Sequence, residues 1–253
     1  MAGLATKDAL VQGASRGLGL ALTKALLVDP AIRRVFATAR EPSDGPLAAL
    51  AARSQERLIR LSLDVTSEDS IERAARDMTR HTDRLHLLVN CAGVLHDGDR
   101  VQPEKRLERV DPEMLTRVFA VNAAGPLMVA KHFWTFLRHD ERSVLANLSA
   151  RVGSIGDDRL GGWYGYRASK AAQNMFTKNL AIELGRRAPR CVCVALHPGT
   201  VETDLSQPFR RGAPRPGLFE PAEAARHLLD VIATLEESDT GRFLAWDGQE
   251  IPW

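Results

Sequence analysis

Cysteine is scarce in this 253-residue chain, and its three residues, Cys91, Cys191 and Cys193, form an odd set without a CxxC pair. That scarcity argues against a secreted disulfide scaffold or a zinc ribbon and fits a reducing cytosol. Long apolar runs are missing too, and without a stretch of about 18 such residues no helix is expected to span a membrane. The first nineteen residues lack a charged segment followed by a long apolar one, so they do not read as a signal peptide. Charge of one sign is also absent. Thirty-four Lys+Arg against 32 Asp+Glu leave +2, which gives no electrostatic footprint for nucleic acid. Neither HxxxH nor HExxH occurs among the seven histidines, so no dedicated metal site is expected.

What is present reads as an ordinary globular chain. With 44% apolar and 26% charged residues, disorder and low complexity are excluded. One domain over residues 1–253 is expected, since single α/β domains reach this length, and its core needs no disulfide staples. Short apolar runs predict strands at Ala9–Gln12, Arg34–Thr38, Leu58–Leu63, Leu85–Asn90, Ser143–Leu148, Cys191–Leu196 and Arg242–Ala245. Helices are expected at Gly17–Val28, at Leu47–Arg53, and from a Thr66 cap to about Thr79. Another starts at Pro112, is disturbed near Gly125–Pro126 and resumes to about Arg138. Tyr166–Gly185 and Pro221 to about Leu235 complete the set. Alternation at this rhythm predicts βαβ units: an α/β, Rossmann-type, doubly wound parallel sheet of about seven strands with helices on both faces. The Pro/Gly-rich run Gln207–Gly217 reads as a mobile loop, a lid over a ligand in the functional reading.

The first strand runs into Gly13-Ala14-Ser15-Arg16-Gly17-Leu18-Gly19 and then directly into a helix. Glycines there allow a tight turn and close approach of backbone to a pyrophosphate, and the helix start offers free N–H groups. A GxxxGxG string alone is weak; its place between a first strand and a helix makes it strong. An NAD enzyme usually carries an acid near the end of the second strand. Here that strand ends Ala37-Thr38-Ala39-Arg40, and Arg16 lies within the glycine loop. Either arginine alone reads as a solvated surface charge. Together they suit a ribose 2′-phosphate, so NADP(H) is favoured over NAD(H).

Tyr166 and Lys170 are four apart and share one helix face. An ammonium beside a phenol is expected to lower its pKa, making a proton carrier for a carbonyl or alcohol oxygen. With GASRGLG (13–19), Asp64-Val65, Asn90-Cys91-Ala92-Gly93, Asn122, Tyr166-Arg167-Ala168-Ser169-Lys170 and Pro198-Gly199-Thr200 through Thr203, the chain resembles the short-chain dehydrogenase/reductase family over essentially its whole length. The C-terminal Phe243–Gly248 and Pro252-Trp253, with Gly161-Gly162-Trp163-Tyr164, resemble its C-factor/sniffer-type carbonyl reductase branch.

The resemblance implies roles. Gly13, Ser15, Arg16, Gly17, Leu18 and Gly19 would cradle the cofactor phosphates, with Arg40 on the 2′-phosphate. Asp64 and Val65 would hold the adenine; Asn90, Ala92 and Gly93 would flank the ribose. Asn122 would bend its helix and hold a water leading protons to Lys170, and Lys170 would also bond the nicotinamide ribose. Pro198, Gly199, Thr200, Val201 and Thr203 would position the nicotinamide amide. The implied activity is reversible, NADP(H)-dependent reduction of a small aldehyde or ketone in the cytoplasm, by a homodimer or homotetramer built on the Pro112–Arg138 and Tyr166–Gly185 helices.

Two departures matter. Gln12 stands where the family usually has Thr, with an expected effect limited to a local strand contact. The family's Asn-hydrophobic-Ser-Ser reads Asn147-Leu148-Ser149-Ala150 here, so the substrate-orienting position holds Ala150. Ser149 or Ser154 would then supply the hydroxyl, and Ser149 is favoured. Ala150 also supports a rival reading, a nucleotide-binding regulatory protein that has lost turnover. His81, His86, His96, His132 and His139 are scattered, and His197 and Cys91 read as structural. Leu95, Trp163, Leu205 and Phe209 would line either a substrate pocket or the core.

Overall fold

A computed structural model describes residues 6–98, 101–207 and 218–253. Expected alternation becomes β1 (Lys7–Gln12), α1 (Gly17–Val28), β2 (Ile32–Ala39), α2 (Gly45–Ala51), β3 (Leu58–Ser62), α3 (Glu68–Met78) and β4 (Leu87–Asn90). There follow α4 (Pro112–Phe119), α5 (Gly125–Phe133), β5 (Ser143–Leu148), α6 (Tyr164–Arg187), β6 (Cys191–His197), β7 (Thr200–Val201), β8 (Leu218–Phe219), α7 (Pro221–Thr234) and β9 (Phe243–Ala245).

Seven strands form one parallel sheet in the order β3-β2-β1-β4-β5-β6-β9. β1 lies between β2 and β4, so the chain winds outward, returns, and winds the other way. The crevice at that reversal, above the carboxyl ends of β1 and β4, is where open α/β sheets bind ligands. Strands buried on both faces carry continuous apolar runs, here Ala9–Val11, Leu87–Val89 and Cys191–Leu196. Their alternation splits the core. Val11, Val89, Ala146 and Val194 pack with Leu22 and Leu26 of α1 and Leu228 of α7. Leu10, Leu88, Leu145 and Cys193 pack with Ile71 of α3, Phe133 of α5 and Leu184 of α6.

Several local expectations are corrected. Ser67, not Thr66, caps α3 by accepting from the Ser70 N–H. Thr66 instead donates backbone and side-chain bonds, 2.9 and 2.7 Å, to Asp64 Oδ1. β4 begins at Leu87: the Leu85 N–H goes to the Phe136 carbonyl, outside the sheet, while His86 still bonds Asp8 of β1 at the edge of the ladder. α6 starts two residues early, at Tyr164. The disturbance in the Pro112 helix is a π-turn over Ala120–Ala124, after which α5 resumes with Pro126 in its first turn. The β7–β8 pair was not expected. Of the anticipated lid, only Gln207 falls within the described residues, and Phe209 lies outside them.

Candidate active site

The glycine loop closes the end of β1. Gly13 and Ala14 N–H groups bind the Thr38 carbonyl at 3.2 and 2.8 Å, tying the loop to β2. Gly13 has φ +82°, and a Cβ there would lie 2.7 Å from the Ala92 nitrogen, so only glycine fits between the glycine loop and the segment after β4. A Cβ on Gly19 would lie 2.1 Å from the Gly13 carbonyl oxygen, which seats α1 directly on the loop. Gln12 does more than a strand contact: its Oε1 accepts from Ala92 N–H at 3.0 Å. Arg16 stands at the N-cap of α1 with extended backbone and no side-chain bond to the helix, and the first turn carries no acid. The positive helix end is therefore left for an outside anion. This bare cradle fits a dinucleotide pyrophosphate.

Arg16, largely exposed, pairs with Asp204 at 3.5 Å. Arg40, also exposed, acts on Asp64 at the end of β3. Burial pushes the Asp64 carboxyl up, but the Thr66 donors and the Arg40 and Arg117 charges outweigh it and hold the carboxyl below its ordinary range. Across the crevice, a Cβ on Gly17 would meet the Thr203 methyl at 3.2 Å, so the 198–203 segment lies against the glycine loop. Behind it Phe219 packs edge-on to Trp246 at 4.6 Å and fills the space beside Gly199.

Asn122 sits inside the π-turn, fully buried. π-turns inside α-helices recur at functional sites. Its Oδ1 accepts from Val94 N–H at 2.7 Å, and its Nδ2 donates to the Val94 carbonyl at 2.9 Å and to Ser169 Oγ at 3.0 Å. Ser169 donates in turn to the Tyr166 carbonyl at 2.8 Å. Asn122 thus clamps the segment after β4 to the first turns of α6. A Cβ on Gly93 would stand 3.5 Å from Asn122 Oδ1 and 3.8 Å from Lys170 Nζ. Gly93 keeps that space open, as a ribose or a water requires. At the strand ends, Asn90 Nδ2 donates to Asn147 Oδ1 at 2.7 Å, and Asn147 Nδ2 donates to Thr177 Oγ1 at 2.9 Å.

Tyr166 and Lys170 are both buried on the inner face of α6. Lys170 Nζ donates to the Leu148 carbonyl and to Gln173 Oε1, each at 2.8 Å. The expected lowering of the phenol pKa is not found. Burial alone pushes Tyr166 up to about 12. Burial pushes Lys170 down to about 8, against a small opposing effect of Cys91. The i, i+4 spacing put both residues on one face, but the flexible lysine stem turns to acceptors of β5 and α6.

The serine question takes a definite form. Ser149 is buried and its hydroxyl donates to Asn174 Oδ1 at 2.6 Å. The Ser154 hydroxyl donates to the Pro252 carbonyl and accepts from Asp157 N–H at 3.1 Å. Ala150, half-buried, caps the turn Arg151–Gly153 and contributes no hydroxyl. Burial, aided by the Arg151 charge, pushes the His197 imidazole down to about 4. Burial likewise raises the Cys91 thiol, keeping it neutral.

Glu104, Gln173 and Asn174, unremarked in the sequence, also shape the site, together with Trp163. Glu104 is buried, and its carboxylate oxygens accept from Gly165 N–H at 3.2 Å while its carbonyl accepts from Trp163 N–H. Trp163 is held at φ +50°, costly for a bulky residue, with its ring edge-on to Tyr166 at 6.3 Å. Gln173 and Asn174 lie in a stripe with Tyr166, Ser169, Lys170 and Thr177, all buried. That i, i+3, i+4, i+7 run of polar residues on a buried face was a readable signal. A depression of about 570 Å³, lined by Arg142, Arg190 and Leu235, lies at the amino ends of β5 and β6, away from this chemistry. Among the described residues no group of three or more His, Cys, Asp or Glu could hold a metal ion, and no helix is long and apolar enough to cross a membrane.

Residues 7–214 match the family model of short chain dehydrogenases. The C-signal protein of Myxococcus xanthus is 38% identical over 144 residues, covering 57% of this chain and 81% of that protein. NADPH-bound carbonyl reductase from chicken fatty liver superposes with a TM-score of 0.86 at 29% identity, covering 99% and 100% of the two chains. Carbonyl reductase Sniffer of D. melanogaster gives 0.84 at 27% identity, covering 98% and 99%. The chain is an oxidoreductase of the short-chain dehydrogenase/reductase family, resembling its C-factor/sniffer branch.

Proposed function

We propose that the chain reduces a small aldehyde or ketone with NADP(H), reversibly to the alcohol. The observation that carries this reading is the placement of Asn122 Oδ1 and Lys170 Nζ against Gly93, with Tyr166 buried one turn before Lys170 on α6, beside the bare glycine cradle. A bound nicotinamide dinucleotide supplies the hydride chemistry there. Gly13, Ser15, Gly17, Leu18 and Gly19 would hold its pyrophosphate, and Arg16 and Arg40 a 2′-phosphate. Asp64 and Val65 would take the adenine, Asn90, Ala92 and Gly93 the ribose, and Pro198, Gly199, Thr200, Val201 and Thr203 the nicotinamide end. The NADPH in the chicken reductase supports the choice of cofactor.

Tyr166 carries the proton step. A phenol pushed up to about 12 keeps its proton at neutral pH, so it is poised to donate to a carbonyl oxygen. That state favours reduction over oxidation. Lys170, with its pKa near 8, is mostly an ammonium at pH 7, and its remaining N–H would bond the nicotinamide ribose. Asn122 holds the segment after β4 and α6 in register and maintains the route for protons to Lys170. Ser149 orients the carbonyl oxygen in place of the missing hydroxyl at 150, and must release Asn174 to do so.

A second reading follows from Ala150 and from the commitment of both nearby serine hydroxyls: a nucleotide-binding regulatory protein with little turnover. NADPH oxidation with a panel of aldehydes and ketones separates the two. Turnover lost in Tyr166→Phe with NADPH binding retained supports the reductase. Tight NADPH binding without turnover across the panel supports the regulator.

A further inference from the structure

Gln173 occupies an expensive position. Its side chain is buried to 1% exposure one turn beyond Lys170, and its Nε2 has no hydrogen-bond partner. A buried amide N–H₂ left unpaired costs about 1–3 kcal/mol, which a leucine of similar volume would avoid. The amide cannot relieve this by flipping, because Nε2 would then face the Lys170 ammonium, donor against donor. In return the residue provides Oε1, 2.8 Å from Lys170 Nζ.

An ammonium has three N–H donors. Lys170 gives one to the Leu148 carbonyl and one to Gln173 Oε1, which leaves one. The open side of Gly93 lies next to Nζ and Asn122 Oδ1. Two fixed acceptors on a buried amine therefore orient it as well as hold it. We infer that Gln173 is a positioning residue for Lys170: its amide oxygen holds the side chain as an ammonium with its remaining N–H available to the site.

Other charges around Lys170 are few. Cys91 faces it from the segment after β4, with a thiol that burial keeps neutral. Tyr166 lies one turn back on α6. The turn Arg151–Gly153 packs on the lysine stem, and its Arg151 is paired with Asp157 at 2.9 Å. From the π-turn comes Asn122, which is uncharged. Of the two acceptors on Nζ, Leu148 offers a main-chain carbonyl, so the one at 173 is the acceptor that a substitution can change. A hydrogen bond accepted from the charged form favours that form. Removing it lowers the lysine's titration midpoint, and replacing it with a carboxylate raises it.

The test rests on the proposed reductase activity for one readout only. Titrate the Lys170 Nζ and Cε resonances by NMR in the ligand-free protein, assigned through Lys170→Arg, for wild type, Gln173→Leu and Gln173→Glu. In parallel, record kcat/KM for NADPH-dependent aldehyde reduction against pH. The midpoint is expected to fall by about one pH unit in Gln173→Leu and to rise by at least about one in Gln173→Glu. The basic limb of the rate profile should move in the same directions, so Gln173→Leu loses about tenfold in kcat/KM above that limb. Gln173→Leu relieves the unpaired Nε2 but leaves a buried ammonium short of an acceptor, so it is expected to melt somewhat lower at pH 7, and the titration is read on protein that its melting curve shows to be folded. A Lys170 midpoint unmoved in both folded variants overturns the assignment. So does a midpoint that moves while the rate profile stays still. A shifted midpoint in a protein without turnover on any carbonyl supports the hold on Lys170 and overturns the reductase reading instead.

Discussion

Ser149→Ala separates a structural hydroxyl from a substrate-orienting one. The Ser149 hydroxyl donates to Asn174 Oδ1 at 2.6 Å, with both residues buried. Removing it leaves Asn174 Oδ1 without that donor in the interior, which costs about 1–3 kcal/mol. For a chain of this length the melting temperature then falls by roughly 2–12 °C. A structural role ends there, with kcat and KM within a few-fold of wild type. An orienting role adds a second loss, because a donor aimed at charge developing on the carbonyl oxygen is worth about 10²–10³ in kcat. Melting curves and steady-state kinetics with NADPH and an aldehyde read the two losses independently. Both are expected. Two companion variants sharpen the result. In Ser154→Ala the bond to Pro252 and the Asp157 N–H acceptor are lost, so stability should fall with kcat retained. Ala150→Ser places a hydroxyl at the half-buried position where the family carries it, and should restore at least part of the Ser149→Ala loss. If Ser149→Ala melts lower with unchanged kcat while Ser154→Ala abolishes turnover, the assignment of Ser149 is wrong.

Tyr166→Phe is expected to lower kcat by about 10²–10⁴ with NADPH affinity nearly unchanged; near-normal turnover would remove the phenol from the proton step. Arg40→Ala should weaken NADPH binding by about 10- to 100-fold, the loss of one charge-assisted bond, and leave NADH binding alone. Equal Kd values for the two cofactors in wild type would refute the 2′-phosphate role of Arg16 and Arg40. Lys170 titrates near 8 in the folded protein against an ordinary 10.5. Between those values the unfolded chain binds more protons, so this group makes stability rise with pH from about 8 towards 10. Lys170→Met should flatten that rise in urea unfolding at pH 7, 9 and 10, and an unchanged slope would contradict the burial of the charge.

The sheet was legible because each of its strands is a short apolar run and each crossover carries helical signals of its own. Two-sided burial makes β5 and β6 continuous in apolar and small residues, and glycine or proline marks several of the turns. Element ends were less legible because distant groups set them. Leu85 looks like strand, but its N–H goes to the Phe136 carbonyl outside the sheet. The Thr66–Ser67 pair offers two capping hydroxyls, and Asp64 decides between them by taking Thr66. The β7–β8 ladder has only two residues per strand, too short for a periodicity to register.

At the site, sequence motifs located side chains but not their directions. The spacing of Tyr166 and Lys170 implies a shared face and nothing about where a four-carbon stem turns. The stem turns towards Leu148 and Gln173, so the charge that would have lowered the phenol pKa is engaged elsewhere, and burial raises it instead. Gln12 shows the same limit in reverse. A departure from the family pattern at the end of a strand predicts only a local contact, yet Gln12 Oε1 holds Ala92 beside Gly13, where a Cβ would not fit. Both cases involve a polar side chain that finds its partner on another element. The one pattern that carries such information in a single sequence is the buried polar stripe of α6. Six polar residues at helical spacing cannot face a hydrophobic sheet without partners, since each unpaired one would cost about 1–3 kcal/mol. The stripe therefore demands a polar network at the strand ends, and Asn90, Asn147, Ser149 and Asn122 are the residues that provide it.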